Sequence, residues 1–238
     1  MHEKLEAGRN HIAVDVMACT VRAGELTLLL SRRSAPPFEG CWALPGRFIG
    51  LDESAETGVR KLLNEMLPAA DAYMEQLYTF TALNRDPRGR VISVAYLLIL
   101  PWEQLEPILA RDSVRLKCFG VRQGAEAKGL QLISPDGTLL TGGDLAFDHG
   151  EIIRTGVARL QGKIDYTDVG FHFLGDMSAF SLGEMQTVFE AVMGKPMDAS
   201  NFRRWIRNRY EETGRIVQTS QAKQQGRGRP AVLYRFVE

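Results

Sequence analysis

The chain has 238 residues, 45% hydrophobic and 24% charged, the composition of an ordinary globular protein long enough to bury a core as one large domain or two small ones. Three cysteines (Cys19, Cys41, Cys118), odd in number and in no metal-ligand spacing, make a reducing compartment with no disulfide framework the default, and the longest apolar run, Val91 to Leu100, falls far short of the roughly 20 residues a membrane helix needs; with no signal peptide visible, a cytoplasmic protein without membrane contact is expected. The net charge of zero conceals a split, because residues 195–238 hold ten Lys/Arg against four Asp/Glu, a net of +6 balanced by −6 in the preceding chain, so an anion-binding module joined to something else is expected.

In chain order, Ile12 to Val21 and Leu26 to Leu30 read as strands of a hairpin around Ala23-Gly24. A loop with Pro36-Pro37 and Gly40 leads to Trp42–Phe48, and Asp52 to Pro68 is patterned as a helix whose Val59, Leu62, Leu63, Met66 and Leu67 form one apolar stripe. Strands follow at Gln76 to Leu83 and Val91 to Leu100, and Pro101 opens a short acidic helix. Pro135-Asp136-Gly137 turns a hairpin between Gln131–Ser134 and Thr138–Leu140. Asp148 to Arg159 reads as a helix. Sheet with helices, the strands mostly in hairpins, is an α+β arrangement. From about Leu160 the pattern changes to short helices at Tyr166–Leu174, Leu182–Met193 and Asn201–Glu212. The second has Ser181 and Glu184 as a capping box and Gly194 as its stop; the third starts at Asp198 or Ser200 and stops at Gly214. Arg215–Thr219 and Val232–Val237 are strand-like around the polar, basic stretch Ser220–Pro230. Three helices, strand, basic loop, strand is the order of a winged helix-turn-helix, so residues 1–159 and 160–238 are expected to form separate domains.

Within Asn201–Tyr210, Phe202, Trp205 and Ile206 share a face while Arg203, Arg204, Arg207 and Asn208 turn away from it, and Asn201 with those three arginines is a DNA-binding candidate. A recognition helix needs that division, one face to pack and one to present guanidinium forks to base edges and phosphates. Arg227 and Arg229, between glycines, are candidates for a wing that meets the minor groove or the backbone. Double-stranded DNA is therefore the expected partner; exposed aromatics at stacking positions, which an RNA module would use, are lacking. The segment Arg85-Asp86-Pro87-Arg88-Gly89-Arg90 reads equally as an ordinary hairpin loop held by an Asp–Arg contact and, with Arg32, Arg33 and Arg47, as a phosphate grip; Arg32, Arg47, Arg88 and Arg90 are the effector-binding candidates. His2, His11, His149 and His172 show no spacing that argues for metal or catalysis.

Trp42 to Pro68 has the framing of a Nudix box, G-x5-E-x7-R-E-U-x-E-E-x-G-U with U aliphatic. With Glu53 as first glutamate, the glycine is Arg47, the R-E-U-x-E-E core is Lys61-Leu62-Leu63-Asn64-Glu65-Met66 and the closing glycine is Pro68. Shifting the frame by one recovers Gly46 and Arg60 but makes the core glutamates Lys61, Asn64 and Glu65. Either way one core carboxylate remains, a poor cage for Mg²⁺, so neither a catalytic residue nor a metal or other cofactor is expected. The whole resembles the Nudix-related transcriptional regulators known as NrtR. Cys41–Gly46 with Asp52-Glu53-Ser54 is similar to that family's W-A-L-P-G-G-F…D-E-S, Gln76–Phe80 with Arg85–Arg90 to its stretch shared with ADP-ribose pyrophosphatases, Leu145–His149 to its linker, and Asn201–Arg204 with Gly228–Phe236 to its DNA-binding module. The resemblance implies an N-terminal Nudix-like α/β/α sandwich with a mixed sheet and a C-terminal winged helix. It implies further a homodimeric bacterial repressor on a palindromic operator, commonly of NAD metabolism genes, released by ADP-ribose or, in other branches, a sugar metabolite. The alternative is an active hydrolase of ADP-ribose or a related diphosphate, using Glu53, Glu56 and Glu65.

Overall fold

The structure, a computed structural model, describes residues 11–66, 72–123, 129–223 and 230–237. Strands β1 (His11–Arg22), β2 (Glu25–Arg32), β5 (Tyr73–Phe80), β6 (Val91–Ile99), β7 (Leu116–Gln123), β8 (Leu130–Ile133) and β9 (Leu139–Thr141) form one sheet in the order β5-β6-β1-β2-β7-β8-β9. The short β3 (Trp42–Ala43) and β4 (Gly46–Phe48) pair onto β2 and β1. β1 and β6 run parallel and the other pairings are antiparallel, which makes the sheet mixed. Eight consecutive residues of β1, Ala13 to Thr20, are buried, as a strand covered on both faces must be.

One face carries α1 (Ala55–Met66) and α2 (Trp102–Arg111), packed through Val59, Leu62 and Leu105 onto Val14, Val16 and Leu98. The other carries α3 (His149–Lys163), whose Ile152, Ile153 and Val157 meet Met17, Leu28 and Leu97. This second core does not end with the sheet. It continues through Phe171, Phe189, Phe202 and Tyr210 into the C-terminal module as one apolar cluster. That module is α4 (Leu182–Met193), α5 (Ala199–Ile206) and a three-stranded sheet ordered β10 (Phe180–Ser181), β12 (Ala231–Phe236), β11 (Ile216–Lys223). Gln161 of α3 bonds the Val192 carbonyl of α4 at 3.0 Å.

The expected α+β architecture, a Nudix-like sandwich followed by a winged helix, is what the chain adopts. Ser181 and Glu184 cap α4 reciprocally, at 3.1 and 2.7 Å, and Gly194 ends it at φ 66°. Several elements differ in extent. α1 begins at Ala55 because Ser54 caps it, its hydroxyl accepting the Thr57 N–H at 3.1 Å. β5 starts earlier, Tyr73 pairing with Ile99, and ends at Phe80. α3 runs past residue 159 to Lys163 and so spans the expected division. Asp168–Phe173 is 3₁₀, opened by the Thr167 side chain, and the helix after Ile206 continues as a π turn over Arg207–Glu211. β7 has no counterpart in the pattern reading, although it pairs with β2 from Thr27↔Gly120 to Ser31↔Leu116. No helix among the described residues is long and apolar enough to cross a membrane, and Cys19, Cys41 and Cys118 are free.

Two glycines of α3 make opposite predictions. A Cβ on Gly150 would lie 2.6 Å from the Gly142 carbonyl oxygen and 2.7 Å from its Cα, whereas Gly162 has nothing within 4 Å. Denaturant unfolding should show Gly150→Ala destabilised by about 1–3 kcal/mol by overpacking and Gly162→Ala stabilised by up to about 1 kcal/mol through helix propensity.

Candidate functional site

Asp15 lies mid-strand in β1, buried in an otherwise apolar run. A carboxylate there must be bonded on every side. Ser93 of β6 donates to its Oδ2 at 2.6 Å and Arg85 Nη2 reaches the same oxygen at 3.3 Å. Arg85, itself buried, also grips Asp148 with Nη2 and Nε at 2.6 and 2.9 Å. His149 Nδ1 accepts the Leu44 N–H at 2.8 Å, which leaves Nε2 facing Asp15 Oδ1 at 3.5 Å. Burial acts to raise the Asp15 pKa, but His149, Ser93 and Arg85 outweigh it and bring the carboxyl down to about 2. Gly46 passes so close that a Cβ would stand 2.3 Å from Asp15 Oδ1, and the backbone there admits only glycine without rearrangement.

This network floors a cleft of about 330 Å³ whose rim is cationic. Arg32 and Arg33 give their hydrogen bonds to carbonyls, Arg32 Nε to Gly40 at 3.1 Å and Arg33 Nε to Pro37 at 2.7 Å. Arg33 stands 4.8 Å over the Phe147 ring, and burial, with the Arg88 charge beside it, lowers its pKa. Arg88 is held by Asp86 at 3.0 and 2.7 Å and lies over Phe48 and Phe147. Phe147 adopts φ 56°, a region a bulky side chain rarely enters. Arg32, Arg47 and Arg88 thus line one cleft. Arg90 does not line it; its Nη1 closes the loop on the Thr81 and Ala82 carbonyls. Converging guanidiniums beside aromatic rings suit a phosphate-bearing ligand.

Pattern reading missed the floor. Asp15, Ser93 and the adjacent pair Asp148-His149 come from three separate segments with no common spacing. A charged residue within a run as apolar as Ile12 to Val21 was the available signal.

The divalent metal that a Nudix frame implies does not fit these residues. Glu53 Oε1 is bonded to Arg47 Nη1 and Lys61 Nζ, both at 2.9 Å, and Oε2 to the Gly50 N–H at 3.0 Å. Leu62 is buried in the apolar core, Met66 packs against it, and Glu65 is exposed. Among the described residues no three His, Cys, Asp or Glu group as metal ligands. Pro68 lies outside the described residues.

At the other end, Asp198 caps α5 by accepting the Asn201 N–H at 2.8 Å. Phe202 and Ile206 are buried, with Phe202 edge-on to Phe189 at 5.3 Å. Asn201, Arg203, Arg204 and Arg207 are exposed together. Arg204 Nη2 is held by Asn201 Oδ1 at 2.7 Å, and Arg207 stands 3.6 Å from Glu211. The arrangement is a helix-turn-helix with a basic outer face. Arg227 and Arg229 lie outside the described residues, between β11 and β12.

Comparison with known proteins agrees with both halves. A family profile described as the NrtR DNA-binding winged helix domain matches residues 170–236. The chain is 30% identical over 94% of its length, and 81% of the relative's, to the "ADPR responsive transcriptional repressor NtrR" of Acinetobacter baylyi. Its fold matches Shewanella oneidensis NrtR crystallised with a 27mer DNA at TM-score 0.73 and 31% identity, covering 95% and 93% of the two chains. A MutT/nudix family protein from Enterococcus faecalis matches at TM-score 0.73 and 25% identity, covering 98% and 90%.

The Asp15 network gives stability a defined pH dependence. A carboxyl whose native pKa lies below its unfolded value of 3.8 stabilises the fold above that value and loses the contribution as pH falls through about 2. Asp15→Asn should cost about 2 kcal/mol in urea unfolding at neutral pH. The difference from wild type should shrink between about pH 4 and pH 2.

Proposed function

The chain belongs to the NrtR family of transcriptional regulators, and we propose that it is a repressor whose Nudix-like domain senses a phosphorylated metabolite such as ADP-ribose. It binds a palindromic operator as a homodimer in the bacterial cytoplasm, acts on genes of NAD or sugar metabolism, and has no hydrolase activity. The carrying observation is that α3 joins the two sites. Its N-terminal end, Asp148 and His149, is bonded into the cleft floor, and its last residue, Lys163, is paired with Glu75 and followed by the segment that packs Phe171 against Tyr210 of the DNA-binding module.

In this reading Arg203, Arg204 and Arg207 enter the major groove with Asn201, and Arg227 and Arg229 serve the wing. The charge on the ligand enters beside Arg32, Arg33, Arg47 and Arg88. It alters the field on the Arg85 ion pairs, and α3 shifts between positions of different operator affinity. Such coupling needs only 1–3 kcal/mol of differential binding, roughly 5- to 150-fold in affinity. The A. baylyi relative's ADPR responsiveness supports the choice of effector. Glu53, satisfied by two cations and a backbone N–H, supports the absence of hydrolysis.

With an operator selected from genomic fragments, fluorescence anisotropy should show Arg203→Ala/Arg204→Ala weakening binding by more than about tenfold. The log–log salt slope should flatten by about 0.9 for each phosphate that the variant no longer neutralises. Saturating ADP-ribose should raise the wild-type Kd by about tenfold or more. Incubation with ADP-ribose and Mg²⁺ should release no AMP; turnover abolished by Glu65→Gln would make the protein a hydrolase instead.

A further inference from the structure

In a diphosphate site a divalent ion cancels charge and fixes the orientation of the oxygens. Around Glu53 the charge is supplied by the chain's own cations, Arg47 and Lys61. The Glu53 side chain is 6% exposed, and both its oxygens are engaged, Oε1 by Arg47 and Lys61 and Oε2 by Gly50. The two cations and the backbone donor hold its carboxyl down at about 2. A metal approaching it would have to displace two bonded cations against their charge. Arg47 stands between this carboxylate and the cleft. It spends Nη1 on Glu53, while its Nε and Nη2 bond no described residue, and its side chain, 30% exposed, lines the cleft with Arg32 and Arg33. Lys61, which does not line the cleft, bonds the same Glu53 oxygen, so one carboxylate is shared by two cations and a net positive charge remains beside the cleft at Arg47.

We propose that Arg47, backed by the Glu53–Lys61 pair, is the built-in counter-charge for the effector's diphosphate, and that the cleft binds its ligand without a divalent metal. The inference rests on the cleft being the effector site, and it makes Arg47 a ligand-binding residue rather than an obstruction at a motif glycine.

The test is calorimetric titration of the full chain with inorganic pyrophosphate and with ADP-ribose, each in EDTA and in Mg²⁺, beside a Mn²⁺ titration read by electron paramagnetic resonance. The pyrophosphate Kd in EDTA should be at least as tight as in Mg²⁺, which can only sequester the free ligand. Arg47→Ala should raise it by about tenfold, the usual size of a missing charge-assisted bond, and Mg²⁺ should not rescue the variant. Arg47→Gln, which keeps a donor and removes the charge, should show the same loss if Arg47→Ala does not fold, and Arg47→Lys should retain most of the affinity. The free Mn²⁺ signal should be unchanged by the protein. Pyrophosphate binding that needs Mg²⁺, binding unaffected by Arg47→Gln, no pyrophosphate binding at all, or stoichiometric Mn²⁺ binding lost in Glu53→Gln would each overturn the inference. Metal-free pyrophosphate binding through Arg47, with ADP-ribose leaving operator affinity unchanged, would uphold it and reject the effector reading. Release of DNA by ADP-ribose only with Mg²⁺ would do the reverse.

Discussion

The structure depends on keeping one buried carboxylate satisfied. Asp15 sits in β1, an interior strand of the sheet buried on both faces, where an unpaired charge would cost several kcal/mol. The groups that satisfy it are brought from β6, the β5–β6 loop and the start of α3, and they are packed under a glycine in β4. Each of those segments is thereby positioned with respect to the others. The cleft is the space left above this network, and its cationic rim is set by arginines of β2, β4 and the adjoining loops that are already pinned by carbonyls, by Glu53 or by Asp86. Little rotamer entropy remains to be lost when an anion enters, which is the condition for a preformed site.

The same network fixes the first turn of α3, and the far end of that helix is fixed as firmly. Lys163 is bonded to Glu75 and to the Tyr73 hydroxyl at 3.2 Å, and the Tyr73 ring stacks on His172 at 4.5 Å. His172 lies in the 3₁₀ segment that opens the DNA-binding module. Tyr210, after α5, returns a hydrogen bond to the Thr167 carbonyl at 2.9 Å. Cleft, helix and recognition module therefore share one close-packed core, and packed interiors pass small displacements on rather than absorbing them.

Much of the scaffold was legible in the sequence because local chemistry decided it. The reciprocal Ser181–Glu184 cap and the Gly194 stop define α4 without tertiary help. The Phe202, Trp205, Ile206 face against Arg203, Arg204, Arg207 identifies α5 by periodicity alone. The stripe of Val59, Leu62, Leu63 and Met66 marks the apolar face of α1, and Val59 and Leu62 are buried there against β1 and β6, away from the cleft. What stayed hidden depends on groups distant in sequence. β7 contains Gly120 under the Glu25 side chain, which breaks the strand pattern locally, and it is a strand because β2 offers it a register. The Asp15 partners are 70 or more residues away. Arg90 and Arg88 look alike in the sequence; only the fold shows that one closes its own loop and the other faces the cleft.

On the proposed function, ligand in the cleft governs operator binding through the Arg85–Asp148 clasp at the head of α3. This coupling is tested most directly by operator affinity with and without saturating ADP-ribose, in wild type and in Asp148→Asn. The variant should bind operator within about twofold of wild type when ligand is absent, yet fail to show the roughly tenfold loss that ADP-ribose is expected to cause in wild type. An Asp148→Asn protein that responds to ADP-ribose as fully as wild type would contradict it.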